Sequence, residues 1–484
     1  MRCRMIASVL LWGALIAGWA IAASAAVKLP AIFTDNMVLQ RGQAVPVWGW
    51  ADQGEEVTVT LAGATATQTS QTATTKADAA GRWKVTLQKL EVGEPLVMTV
   101  QGSLGGVLTR KNILAGEVWV CSGQSNMEMG IGICNNAQAE IAAANYPNIR
   151  LFKVEKAKAA APATDVKGAW ALCTPQSISV NGWGGFSAAA YYFGRNLHKE
   201  LNVPIGLIDT SWGGTPAEFW TRRKVLEANP VLKPMAQGEN SCLYNGMIAP
   251  LIPYGIRGAI WYQGEANLGR AHQYRTLLPA MIANWRTDWA QGDFPFGIVQ
   301  LAPFRYGGVN PACWAELCEA QRMTWNNSPH TGLAVTTDIG DVRDIHPKNK
   351  QEVGHRLALW ALAKVYGRSL VYSGPIYKSM TVEGNKIRLH FDYVGGGLKT
   401  SDGKPLSDFM IAGADHKFVP AVAEIDGNTV VVSAIQVVAG SDIHVTQPVA
   451  VRFAWYDTAT PNFSNQEGLP ASPFRTDTWK GVTE

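Results

Sequence analysis

From about residue 112 to 368, short uninterrupted apolar runs alternate with segments of helical period, and this alternation constrains the fold more than any other feature of the chain. A strand that is apolar at every position must be covered on both faces. Helices inserted between such strands provide that cover, so the pattern reads as an α/β fold with a mostly parallel sheet. The runs are EVWVCS (117–122), IRLFKV (149–154), PIGLIDT (204–210), IRGAIWY (256–262), FPFGIVQLA (294–302) and TGLAVTT (331–337). Ser187 is placed to cap a helix through AAAYYFGRNLHKEL, and a second helix covers 272–289. A third follows His346, with Val353, Leu357, Trp360 and Ala361 on one buried stripe.

The flanks read differently. Before residue 111 the segments AVPVWGW, EEVTVTLAG, RWKVTLQKL and PLVMTVQG are short, alternate apolar with polar, and are punctuated by Gly and Asp. They predict a β-sandwich-like unit, with the Ala- and Thr-rich stretch 65–80 as an exposed hairpin. After about residue 369 strands return, separated by EGN at 383–385 and DGN at 426–428. The expected division is a leader at 1–25, an N-terminal β unit at 26–111, the α/β unit at 112–368 and a β-rich unit at 369–484.

The leader is read from Arg2 and Arg4, the apolar run Met5 to Ala22 and the small residues Ala23, Ser24 and Ala25, the order of a cleaved signal peptide. No later segment approaches the roughly 20 apolar residues that span a bilayer. The mature chain is therefore expected in the periplasm or the medium of a bacterium, with no membrane attachment. Loss of Arg2 and Arg4 lowers a formal charge that is only +4, and no Lys/Arg block would track a phosphate backbone, so nucleic acid is not an expected partner. Without Cys3, the cysteines Cys121, Cys134, Cys173, Cys242, Cys313 and Cys318 remain, and the sequence selects no pairing among them. Neither CxxC nor HExxH occurs and the eight histidines are scattered, so no metal or other cofactor is expected.

Ligands of an open parallel sheet bind beyond the carboxyl ends of its strands, which makes the strand-end loops the place to look for chemistry. The first strand delivers SGQSNM, with Ser125 in a Gly-containing turn. The third delivers DTSWGGT, where Gly213 and Gly214 allow close backbone approach, and the fourth WYQGEAN, with Gln263, Glu265 and Asn267. The last delivers DIGDVRDIHPKNKQE, in which His346 follows Asp338, Asp341 and Asp344. Each alone has a bland alternative: a capping serine, a tight turn, solvated loop amides, a helix-start histidine. Together they supply a hydroxyl, backbone donors and an imidazole to one sheet edge, and a serine hydroxyl needs such a base to act as a nucleophile at neutral pH.

At these motifs the chain resembles the sialate O-acetylesterase branch of the SGNH hydrolases, over nearly its whole length. The matches are TDNMVLQRG (34–42), GEVWVCSGQSNMEM (116–129), SWGGTPAEFW (211–220), LYNGMIAPL (243–251), AIWYQGEAN (259–267), DIHPKNKQEVG (344–354) and GLPASPFRTD (468–477). The resemblance implies a flavodoxin-like core with β-rich flanks and a cofactor-free serine esterase releasing acetate from acetylated oligosaccharides or polysaccharides. Position by position it implies Ser125 as nucleophile, His346 as base, and Ser125, Gly213 or Gly214 and Gln263 as oxyanion donors, with Asn267 in reserve for Gln263. Loss of the Gln263 donor is then expected to slow turnover about a hundredfold. The superfamily's acid, three residues before the histidine, is replaced by Arg343; Asp344 is the expected acid, Asp341 the second choice, and a Ser-His dyad aided by a backbone carbonyl the third. Ala266 stands where relatives often carry Ser. Trp183, Trp212, Trp220 and Trp261 are candidates for stacking on sugars, Glu265, Asn267 and Trp212 for lining the substrate site, and Arg222 or Arg223 for meeting a sugar carboxylate. The rival expectation is a carbohydrate-binding protein with an inactive hydrolase core, and the acetylated sugar itself, sialic acid or xylan, is left open.

Overall fold

The computed structural model describes residues 27–63, 70–180, 182–434 and 445–484. The expected leader lies outside them. The organising element is β1 (Val107–Gly123), a single strand of 17 residues. Its first six residues alternate between exposed and half-buried, and the eleven from Ile113 onward are all buried. The change follows from its neighbours. The outer part pairs antiparallel with Leu96–Gly102 of the N-terminal β segment, which has one wet face, whereas the inner part lies mid-sheet with both faces covered. The boundary expected near residue 111 thus falls inside one unbroken strand.

Around the inner part of β1 are β2 (Tyr146–Lys153), β3 (Trp170–Cys173), β4 (Ile205–Ser211), β5 (Gly258–Tyr262), β6 (Phe296–Val299) and β7 (Thr331–Ala334). The spatial order is β7-β6-β5-β1-β4-β2-β3. Neighbours pair parallel except β3, an antiparallel edge strand on β2, and with the N-terminal strands that join through β1 the whole is a mixed sheet of eleven. Chain connections diverge on either side of β1, so the carboxyl end of β1 is a switch point of the kind where ligands bind.

Helices cover the sheet. α1 (Ala188–Leu201) starts at Ser187, whose hydroxyl accepts the Ala190 N–H at 3.1 Å as expected, and it packs with α4 (Lys350–Lys364). α4 buries Val353, Leu357, Trp360 and Ala361, and Trp360 lies against Gly297 and Gly332. α2 (Ala271–Trp289) and α3 (Ala312–Asn327) pack together on the other face, with Trp285 on Phe296.

In the N-terminal segment Gln71–Lys76 pairs antiparallel with Glu56–Leu61, so the 65–80 stretch supplies one strand of a pair whose partner precedes it rather than a hairpin of its own; residues 64–69 lie outside the described residues. The C-terminal strands form a seven-stranded antiparallel sheet. Gly384 and Gly427, in the turns read from EGN and DGN, take positive φ values of 64° and 60°. All six cysteines among the described residues are free and buried. Among the described residues no helix is long and apolar enough to cross a membrane, and no cluster of His, Cys, Asp and Glu is arranged to hold a metal ion.

Candidate active site

Three adjacent strands end in register. Gly123 of β1 is level with Ser211 of β4 and with Tyr262 of β5, so the loops that follow leave the sheet side by side. Gly123 itself has a φ of 139°, and an added Cβ would stand 2.2 Å from the Tyr262 carbonyl oxygen. Only glycine permits that approach, which lets Gln124 N–H donate to the same carbonyl at 3.0 Å and turns the chain into a four-residue helix headed by Ser125. Gln124 ties the neighbouring loop as well, since its Oε1 accepts the Ala266 N–H at 3.2 Å. The methyl of Ala266 takes no part in that bond.

Ser125 is half-buried, and its Oγ is 2.9 Å from Nε2 of His346, a residue 221 positions away in sequence. Behind the imidazole, Asp344 Oδ1 stands 3.8 Å from Nδ1, beyond hydrogen-bond distance, and accepts instead the backbone N–H of His346 at 3.0 Å. Asp341 accepts the Arg343 N–H, and Asp338 is held in a two-bond fork by Arg356, so neither serves the ring. The rings of His346 and Trp183 stand nearly perpendicular with centroids 4.7 Å apart. Burial and then the charge of Lys350 hold the imidazole below its usual pKa, against an opposing pull from Asp344.

The backbone donors lie opposite. A Cβ at Gly213 would be 3.2 Å from Ser125 Cβ, which puts the SWGGT turn against that serine. The Gly213 N–H donates to Glu128 Oε2 at 2.6 Å, and the other carboxylate oxygen accepts Lys156 Nζ at 2.6 Å. Gly214 is exposed, with a φ of 72° and open space around its Cα. Trp212 is half-buried, its backbone N–H donating to the Gly123 carbonyl, with the Lys156 ammonium 5.5 Å from its ring.

Several expected residues lie elsewhere. Gln263 is fully buried and gives its amide protons to Thr215 O and Asn267 Oδ1, while its oxygen accepts from Tyr274; it has no donor left for an oxyanion. Asn267, its reserve, is also buried and spent on Ala217, Gln263 and Glu218. Glu265 reaches beneath the Ser125 loop to Asn126 rather than outward to substrate. Arg222 pairs with Asp288 at 2.7 Å, and Arg223 clasps the carbonyls of Ala236, Gly238 and Asn240. Trp220 and Trp261 belong to the core. Glu128, Asn126 and Lys350 join the site without being among the residues the sequence motifs single out. The one signal pointing to Lys350 is a cation in the first turn of a helix, where the helix dipole disfavours it.

The profile of a family described as "Carbohydrate esterase, sialic acid-specific acetylesterase" matches residues 115–363, a span containing Ser125, Gly213 and His346. The chain belongs to this family. It is similar to sialate O-acetylesterase of Homo sapiens, 31% identical over 488 residues that cover 92% of each chain, and to that of Rattus norvegicus, 30% identical over 92% and 93%. Among solved structures it is similar to a carbohydrate acetylesterase from Xanthomonas citri at 40% identity, covering 94% of this chain and all of that one with a TM-score of 0.84. This member of the family is therefore a carbohydrate O-acetylesterase, and the rival expectation of an inactive sugar-binding core gives way.

Proposed function

We propose that this esterase works by two-step acyl transfer, with Ser125 as nucleophile and His346 as general base, on a flavodoxin-like core of the SGNH type. The observation that carries the reading is the 2.9 Å contact between Ser125 Oγ and His346 Nε2 at the edge where three strands end level. His346 takes the hydroxyl proton as Oγ attacks the acetyl carbonyl, and returns it to the departing sugar oxygen. Water, activated by the same imidazole, then releases acetate. The oxyanion is held by the N–H groups of Ser125 and Gly213, the substrate oxygen displacing Glu128, whose carboxylate keeps Lys156 as partner. Gln263 has no part in the hole and organises the loop from beneath. Asp344 contributes a nearby negative charge and fixes the backbone of His346, so the couple is a dyad assisted by a carboxylate.

The substrate is an O-acetylated sialic acid, the sugar for which the curated relatives are named, and the half-buried Trp212 and Trp183 beside the couple offer aromatic surface to a sugar ring. The signal-peptide pattern read at 1–25 supports a site of action outside the bacterial cytoplasm. Acetate release from O-acetyl sialic acids and from acetylated xylo-oligosaccharides, measured for wild type and Ser125→Ala, tests both points. The expected result is preference for the sialic acids and a fall of at least about a thousandfold in the variant. Equal rates for the two proteins would refute the nucleophile, and turnover of xylo-oligosaccharides alone would refute the substrate.

A further inference from the structure

Behind the Ser125–His346 couple lies a chain of buried polar groups that acyl transfer as described does not use. Lys350, the first residue of α4, is fully buried. A cation there loses its hydration and faces the positive end of its own helix, so its presence needs a reason. Its Nζ donates to Asn126 Oδ1 at 2.6 Å and stands 5.1 Å from the centre of the Tyr262 ring. With its oxygen so taken, the Asn126 amide turns its protons the other way, to Glu265 Oε1 at 2.6 Å and to the Ile345 carbonyl at 2.9 Å. Asn126 adjoins the serine and Ile345 adjoins the histidine. One side chain thus stitches together the two loops that must meet.

We propose that Lys350, acting through Asn126 and Glu265, is a positioning device for the couple: the amide holds the His346 loop against Ser125, and the ammonium sets a fixed positive charge behind the imidazole. The inference rests on the reading of Ser125 and His346 given above. The groups around this charge leave it the dominant cation. Cys134 has its thiol pushed up to about 11 by burial and the Tyr262 phenol lies well above its ordinary range, so both are neutral. Glu265, raised by burial, keeps one buried oxygen without a partner. Asp344 is the facing anion at the imidazole, Glu128 is engaged by Lys156 and Gly213, and Arg343 and Lys348 on the histidine's own loop are exposed. Burial pulls Lys350 down to about 8, which still leaves it charged over the range where an imidazole titrates. A neighbouring positive charge disfavours the imidazolium, so the base stays neutral, and ready to accept a proton, at lower pH.

Removing the charge must therefore move the histidine's titration upward. In Lys350→Gln, whose amide still reaches toward Asn126, the His346 Cε1 proton followed by NMR is expected to titrate about half a pH unit or more above wild type. The acid limb of kcat/KM is expected to shift with it. Asn126→Ala cuts the stitch without removing the ammonium, and kcat is expected to fall on the order of a hundredfold with KM within about threefold. If Lys350→Gln does not fold, Lys350→Met is read by the same titration. An unmoved His346 titration in the folded Lys350 variant, or an unchanged kcat in Asn126→Ala, would overturn the proposal. The titration needs no turnover, so its outcome is separate from failure of the nucleophile itself, which shows as activity surviving Ser125→Ala.

Discussion

At the residue scale, the acid and a buried carboxyl each make a distinct demand. Where an aspartate is hydrogen-bonded to the catalytic imidazole, losing its charge costs about ten-thousandfold in rate. Here the 3.8 Å separation and the bond from Asp344 Oδ1 to a backbone N–H predict a milder effect. Asp344→Asn is expected to lower kcat by about tenfold and to move the acid limb of the pH profile downward, because an anion that favours the imidazolium is gone. A pH series of initial rates reads both. Asp209, near the carboxyl end of β4, is buried, accepts the Ser211 hydroxyl at 2.5 Å, and is pushed up to about 6 chiefly by burial. Between its unfolded value of 3.8 and about 6 the folded chain holds a proton the unfolded chain has lost. Folding stability from this group is thus present below pH 4 and lost as pH rises through 6. Asp209→Asn is expected to flatten that fall and to stabilise the fold at pH 7 by about 2 kcal/mol, read by urea unfolding at pH 5 and pH 7.

At the scale of elements, Gln263 separates two accounts of the QGE loop. An oxyanion donor would lose rate without losing stability on substitution. An amide bonded to Thr215, Asn267 and Tyr274 in the core would lose stability by about 1–3 kcal/mol in Gln263→Leu, since those partners are left unpaired. The second outcome is expected, and thermal unfolding beside single-turnover rates distinguishes them. This residue also shows how far the sequence was legible. Strand runs and stripes such as Val353, Leu357 and Trp360 announce which elements exist, because burial on two faces or one leaves a periodic trace. The meeting of Ser125 and His346 was likewise readable, since each follows a strand of one sheet. The direction in which a loop side chain turns leaves no such trace. Gln263, Glu265 and Asn267 sit in the expected loop and point inward. α3 is illegible for a related reason: Glu316, Glu319 and Gln321 are buried on it by partners from distant segments, and these blur its apolar period.

At the scale of the whole molecule, the β segments are tied into the catalytic sheet. β1 serves both the N-terminal sheet and the central one, and the C-terminal tail is bonded to α3 through Glu316, which accepts the N–H groups of Val482 and Thr483. Ending the chain after Lys480 is expected to lower the melting temperature, because Glu316 loses both of its backbone donors from the tail. The central claim is that one hydroxyl performs the chemistry. Reaction with a small fluorophosphonate, followed by peptide mass spectrometry, tests it most directly. A single adduct on Ser125, formed in step with loss of acetate release and absent in His346→Ala, is the predicted result; labelling at another serine, or full activity in the Ser125-labelled enzyme, would contradict it.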